Sequence, residues 1–238
     1  MDSRCCAIPS HRARLPLFDG RMKLYEYFRS SAAYRVRIAL NLKGISYESL
    51  GVDLRAPASV QRSADFLAVN PEGLVPVLVD GERTFTQSLA IIEYLEETRP
   101  QPPLLPRVPR ERAQVRALAL AVACDIHPLN NLRVLNYLRE SLHADEAAVN
   151  SWYAHWITQG FTALEAQVQN TSGDGRCMFG KAVTLADVCL VPQMANARRL
   201  KCDVAPYPTL RGICTHLEAL PAFAKAAPQA QRNPNQGA

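Results

Sequence analysis

No two of the seven cysteines, at positions 5, 6, 124, 177, 189, 202 and 214, form a C-x-x-C pair or stand at metal-site spacing. That excludes a zinc-ribbon or dithiol redox centre, predicts no metal, and reads as reduced thiols of a cytoplasmic protein. No apolar run approaches the roughly 18 residues of a membrane span, so no membrane partner is expected. Residues 1–21 carry Pro9, Pro16 and scattered arginines but no apolar h-region, and are read as a disordered extension, not a signal peptide. Charge of one sign is also scarce. The net +5 includes Arg4, Arg12, Arg14 and Arg21 against Asp2 and Asp19, leaving about +3 for the rest. Nucleic acid is not implied, whereas a mild positive surplus suits a small anionic substrate. What remains is an ordinary globular composition, 48% hydrophobic and 21% charged over 238 residues, enough for two modest domains.

The patterned sequence begins at Met22. Lys23–Phe28 has strand character and runs through Ser30 and Ser31 into a helix over Ala32–Leu42, with Val36, Ala39 and Leu40 on one face and Gly44 as the stop. Tyr47–Leu54 reads as a second strand and Val60–Ala68 as a short helix before Asn70-Pro71. Val75–Val79 and Glu82–Phe85 read as a hairpin about Asp80-Gly81, and Ser88–Thr98 as a helix. The order is βαβαββα, over 22–99. Pro76, at the start of the third strand, suits either an ordinary trans bond or a cis bond that presents the Val75 backbone to a ligand.

Five prolines, at 100, 102, 103, 106 and 109, mark 100–109 as a linker. From 110 to 228 helices are expected over Arg110–Asp125, Leu129–Ser141, Ala144–Asn170 and Thr184–Leu200, with Gly173–Gly175 as a loop and 229–238 as a frayed tail. Thr184-Leu-Ala-Asp187 is a capping box, and Val183 can staple onto Val188; this motif serves folding, not chemistry.

The junction at Ser30-Ser31 carries the most chemistry. A helix start exposes unpaired N–H groups and the positive end of the macrodipole, and two hydroxyls beside it add donors, so a thiolate would be stabilised there. Either serine can instead be a plain N-cap.

The βαβαββα order, Val75-Pro76, Gln87-Ser88 and the Thr184–Asp187 box together resemble a cytosolic glutathione transferase over 22–228. Arg29-Ser-Ser-Ala-Ala-Tyr-Arg-Val-Arg-Ile38 is similar to the serine-containing signature of the zeta class, as are Gln87–Glu96, Asp125-Ile-His-Pro-Leu-Asn-Asn131 and Leu190-Val-Pro-Gln193. The signature departs at Ala32 and Tyr34, where many members carry cysteine and tryptophan. Within the resemblance, this departure argues against a protein cysteine as nucleophile and leaves the thiol to bound glutathione.

The resemblance implies a thioredoxin-like domain followed by an all-helical domain, glutathione as cofactor, and a homodimer. It implies glutathione-dependent cis–trans isomerisation of maleylacetoacetate to fumarylacetoacetate in tyrosine and phenylalanine breakdown. Maleylpyruvate of gentisate breakdown is the alternative substrate, and general glutathione conjugation the alternative activity. Ser30 or Ser31 would activate the thiol. Val75, Gln87, Ser88, His127 and Asn131 would hold glutathione, with Gln87-Ser88 otherwise a helix cap and His127 otherwise an interhelical residue. Arg29 and Arg199 would bind the substrate's charge, with Arg133 and Arg198 as weaker candidates. Translation is expected to start at Met22, and intact-mass analysis of the native protein should find residues 1–21 missing.

Overall fold

Alternation of period two in β1 (Met22–Glu26) sends Met22 and Leu24 into one core and Tyr25 towards another, so the strand is covered on both faces. It pairs in parallel with β2 (Tyr47–Gly51) and antiparallel with β3 (Val77–Asp80), which pairs with β4 (Arg83–Thr86) in the order β2-β1-β3-β4. Helices α1 (Ser31–Leu42) and α3 (Ser88–Thr98) share the larger core, and Phe66 of α2 (Ala64–Val69) packs with Val52 and Val77 in the smaller one. This is the expected thioredoxin-like order. The computed structural model describes residues 21–55 and 59–231; the expected disordered segment 1–20 and residues 232–238 of the expected tail lie outside the described residues.

Several boundaries differ from expectation, each for a local reason. β2 stops at Gly51, and the chain turns just beyond it as the Asp53 carboxylate accepts from the Arg55 N–H at 3.1 Å. The expected Val60–Ala68 helix is divided at Ser63, whose hydroxyl accepts from the Phe66 N–H and caps α2 after a 3₁₀ turn over Val60–Arg62. β3 starts at Val77, one residue after Pro76, which lacks a donor. Asp80 pairs with Arg83, so the central turn residues are Gly81 and Glu82, with Gly81 at φ 62°. A positive φ at the first central position alone fits a type II′ hairpin.

The linker is held by one carboxylate. Glu96 accepts from the Leu104 N–H at 3.0 Å, the Leu105 N–H at 3.1 Å and Lys43 Nζ at 2.8 Å. Pro109 does not end the linker but opens α4 (Pro109–Leu120) at its first helical position, where no donor is needed. Then follow a π-helical turn (Ala121–Ile126), α5 (Leu132–Glu140), α6 (Glu146–Thr171), α7 (Leu185–Arg199), α8 (Pro208–Glu218) and α9 (Pro221–Ala226). The π turn, α8 and α9 are absent from the sequence reading, although Pro208 and Pro221 each occupy a first helical position. Residues 229–231 are not frayed, since the Gln231 amide donates to the Lys225 and Ala227 carbonyls.

The π turn meets α6 at Gly160, where a Cβ would stand 2.2 Å from Ile126 Cδ1, so only glycine admits this approach. Helix α1 is almost wholly buried, with Arg37 paired to Glu26 and donating to the Phe28 and Ala226 carbonyls. In α7, the buried Asp187 accepts from the Met178 N–H, the Thr184 N–H and the Thr184 hydroxyl at 2.7, 2.7 and 2.8 Å. Asp187→Ala would strand these donors and should cost about 2–4 kcal/mol. Urea unfolding tests this; a loss below about 1 kcal/mol would show the cap to be idle.

Candidate active site

Strand β1 ends in an apolar core, and the chain must turn before α1 can bury its own face. Ser30 makes that turn. Its N–H donates to the Tyr27 carbonyl at 2.8 Å, and its Oγ accepts from the Ala33 N–H at 3.2 Å, so it is the N-cap of α1. Accepting there leaves the hydroxyl proton free to donate. Ser31, the first helical residue, is buried, with its Oγ 3.1 Å from His127 Nδ1.

His127 follows the π turn. The segment after it is fixed from α6, with Trp152 Nε1 donating to the Leu129 carbonyl at 2.9 Å and Asn130 Nδ2 to the Tyr153 carbonyl at 3.1 Å. Asn131 then caps α5 by accepting from the Arg133 N–H at 3.1 Å. Desolvation, then repulsion from Arg35 and Arg133, pushes the His127 pKa down to about 3. The imidazole is therefore neutral, and the Ser31 hydroxyl either accepts a hydrogen bond from Nδ1–H or donates one to an unprotonated Nδ1, according to the tautomer.

Around these groups lies one branched cleft. A branch of about 610 Å³ is lined by Ser30, Val75, His127, Asn131 and Arg133. A second, of about 290 Å³, adds Arg35, Gln87, Ser88 and Cys124 to Val75 and His127. A third, of about 340 Å³, joins Ser30, Ser31 and His127 to Arg29, Gln193 and Arg199. All nine residues singled out for this chemistry thus reach one cleft, with His127 and Asn131 lining all three branches and Ser30 shared by the first and third. Val75 precedes a cis bond to Pro76. Gln87 is exposed at φ 64°, with its amide already donating to Glu72, whereas Ser88 is buried and accepts from Arg35 Nη1 at 3.3 Å.

The arginines divide by partner. Arg55, Arg139 and Arg198 are paired with Asp53, Glu146 and Glu218, the last pairing accounting for a weaker substrate candidate. Arg29 lies over the Phe28 ring at 5.0 Å and Arg199 donates only to Asn196 Oδ1 at 3.3 Å; neither has an acidic partner among the described residues. Their charge is available to an anion.

Sequence reasoning missed Arg35. It is 1% exposed, its pKa is drawn down by burial, and its Nε and Nη2 have no hydrogen-bond partner among the described residues. A buried cation left so short of acceptors fits a carboxylate-bearing ligand in the branch shared with Ser88, and glutathione carries two carboxylates. The only signal was an arginine inside a helix flanked by apolar residues. Burial pushes Cys177 up to about 12 and Cys189 to about 11, and raises Cys202 and Cys214, so none of these four is an activated nucleophile.

Residues 24–103 match the family model for the N-terminal domain of glutathione S-transferase. A Vibrio cholerae protein named probable maleylacetoacetate isomerase is 54% identical over 87% of this chain and 96% of its own length. The chain belongs to the zeta class of glutathione transferases. Within that class, a bacterial maleylpyruvate isomerase in its holo form is 48% identical and superposes with a TM-score of 0.86 over 90% of this chain and all of that one. A maleylacetoacetate isomerase from Methylobacterium extorquens AM1, solved with malonate and glutathione bound, is 45% identical with a TM-score of 0.84 over 88% of this chain and 98% of its own.

The depressed His127 pKa has a consequence for stability. Between the folded value and the unfolded value of about 6.5 the unfolded chain binds the extra proton. The stability tied to neutral His127 is therefore present above about pH 6.5 and lost as pH falls, by about 1.4 kcal/mol per unit. Urea midpoints from about pH 7 to pH 5 should fall less steeply in His127→Gln than in the wild type; identical slopes would refute this.

Proposed function

We propose that this protein is a glutathione-dependent cis–trans isomerase converting maleylacetoacetate to fumarylacetoacetate in tyrosine and phenylalanine catabolism, acting in the cytoplasm as a homodimer. The observation that carries the reading is the meeting of two environments at the start of α1: hydroxyl donors at a helix N-terminus, and Arg29 and Arg199 without acidic partners among the described residues. A general conjugating transferase would call for an apolar cavity there. Maleylpyruvate is the second substrate reading, favoured by the 48% identity to the bacterial maleylpyruvate isomerase.

In this reading residues 22–99 form the glutathione-binding domain and 110–228 the substrate domain, with the cleft between them. Glutathione, when bound, supplies a thiol that adds reversibly to the conjugated double bond, so the bond can rotate and the cofactor is recovered. The Ser30 hydroxyl proton and the first N–H groups of α1 hold negative charge on sulfur and so favour the thiolate near neutral pH. Ser31 adds its own proton if His127 presents Nδ1–H to it. Val75 offers backbone groups to the peptide portion, Ser88 and Arg35 a carboxylate site, and Gln87, His127 and Asn131 line the remainder. Arg29 and Arg199 hold the substrate carboxylates and orient the chain across the serines.

Turnover of maleylacetoacetate and of maleylpyruvate, each with and without reduced glutathione, tests the reaction. Turnover of the first that needs glutathione is expected; preference for the second would move the enzyme to gentisate breakdown, and activity on neither would remove the isomerase. Arg199→Ala should lower kcat/KM for the charged substrate roughly 10- to 100-fold while sparing conjugation of an uncharged electrophile. Ser30→Ala should reduce turnover with little change in glutathione affinity, and full activity in both Ser30→Ala and Ser31→Ala would refute the activating role.

A further inference from the structure

Gln193 is buried in α7, 1% exposed, and neither atom of its amide makes a hydrogen bond of ordinary geometry among the described residues, although its side chain interacts with the Tyr153 hydroxyl. It is not an isolated packing defect. Gln193, Asn196 and Arg199 recur at helical spacing along one face of α7, and all three line the cavity of about 340 Å³ that also contains Ser30, Ser31 and Arg29. Asn130 Oδ1, likewise buried and unpartnered, belongs to the same wall, and so does Tyr153, whose hydroxyl is pushed up to about 12 by burial and so stays a neutral donor. The cavity thus has exposed cations, Arg29 and Arg199, and a buried wall of neutral polar groups. A carboxylate pressed against that wall would lose water with only the field of Arg199 to offset it, whereas a ketone needs only a neutral donor.

We propose that Gln193 is a specificity-determining residue that contacts the substrate, its amide Nε2 donating to the carbonyl oxygen conjugated with the isomerising double bond. The inference rests on the isomerase reading and goes beyond it by assigning the uncharged middle of the substrate to α7. When a carbon–sulfur bond forms at the double bond, the displaced π pair is carried on that oxygen, and it returns when the same bond breaks. Gln193 therefore holds the developing charge without transferring a proton.

Two saturated seven-carbon diacids, 4-oxoheptanedioate and heptanedioate, separate this contact from catalysis, because they share both carboxylates and differ only in the ketone. Titration calorimetry in the presence of reduced glutathione should show the wild type binding the oxo diacid about tenfold more tightly. Gln193→Leu should bring the two within about twofold while leaving glutathione affinity unchanged, and should lower kcat by about 10- to 100-fold. Gln193→Glu, of the same shape, is expected to lose the preference as well and serves if the leucine variant does not fold. A wild type indifferent to the ketone, or a leucine variant that keeps the preference, overturns the proposal. A wild type that prefers the ketone yet isomerises neither natural substrate would remove the reaction and leave the Gln193 contact standing.

Discussion

The arrangement depends on the burial of a charge. Arg37 lies on a helix packed on every side, and a guanidinium there is tolerable only if its donors are met. Glu26 at the end of β1, the Phe28 carbonyl in the turn and the Ala226 carbonyl at the end of α9 meet them. One side chain therefore fixes the strand, the turn that carries Ser30, and the last helix. Tyr34 and Asn41 add hydrogen bonds to Phe223 and Ala222 on the same side. The position of the serines follows from this packing.

The cleft inherits its polarity from both halves of the chain. On the sheet side, Arg35 is buried short of acceptors and Ser88 stands beside it. On the helical side, the π turn and the Gly160 contact carry His127 in against Ser31, so a side chain ninety-six residues away shares a hydrogen bond with the start of α1. Asp187 meanwhile stays deep in α7 as a folding element. Burial raises its pKa to about 6 although hydrogen bonds from Met178, from Thr184 and from its own backbone pull the other way. The same physical effect, desolvation, thus acts on His127, Arg35 and Asp187 with different signs of consequence.

Much of this was legible in the sequence because it rests on local rules. Strand and helix order followed from periodicity, the serine junction from capping chemistry, and the α7 start from the Thr184–Asp187 spacing. What was not legible depends on distant partners. The π turn packs its Ile126 side chain against a glycine in another helix, α9 is only six residues long, α8 was passed over although it is as long as α3, and Arg35 and Gln193 look like ordinary helix residues until their neighbours are known. Ser63 and Asp53 are intermediate cases: both are recognised cap or turn residues, and both moved boundaries that periodicity alone had extended.

The docking of α9 against α1 also orders events in time. During synthesis on a ribosome the N-terminal strands and first helix emerge early, but the acceptor at Ala226 emerges only when almost the whole chain has been made. Until then one donor of Arg37 and the flank of α1 beneath the serines face water. The nascent chain can gather its sheet, but the floor of the cleft closes last, so a chain truncated before residue 226 would be a target for quality control although every residue singled out for the cleft had already been synthesised.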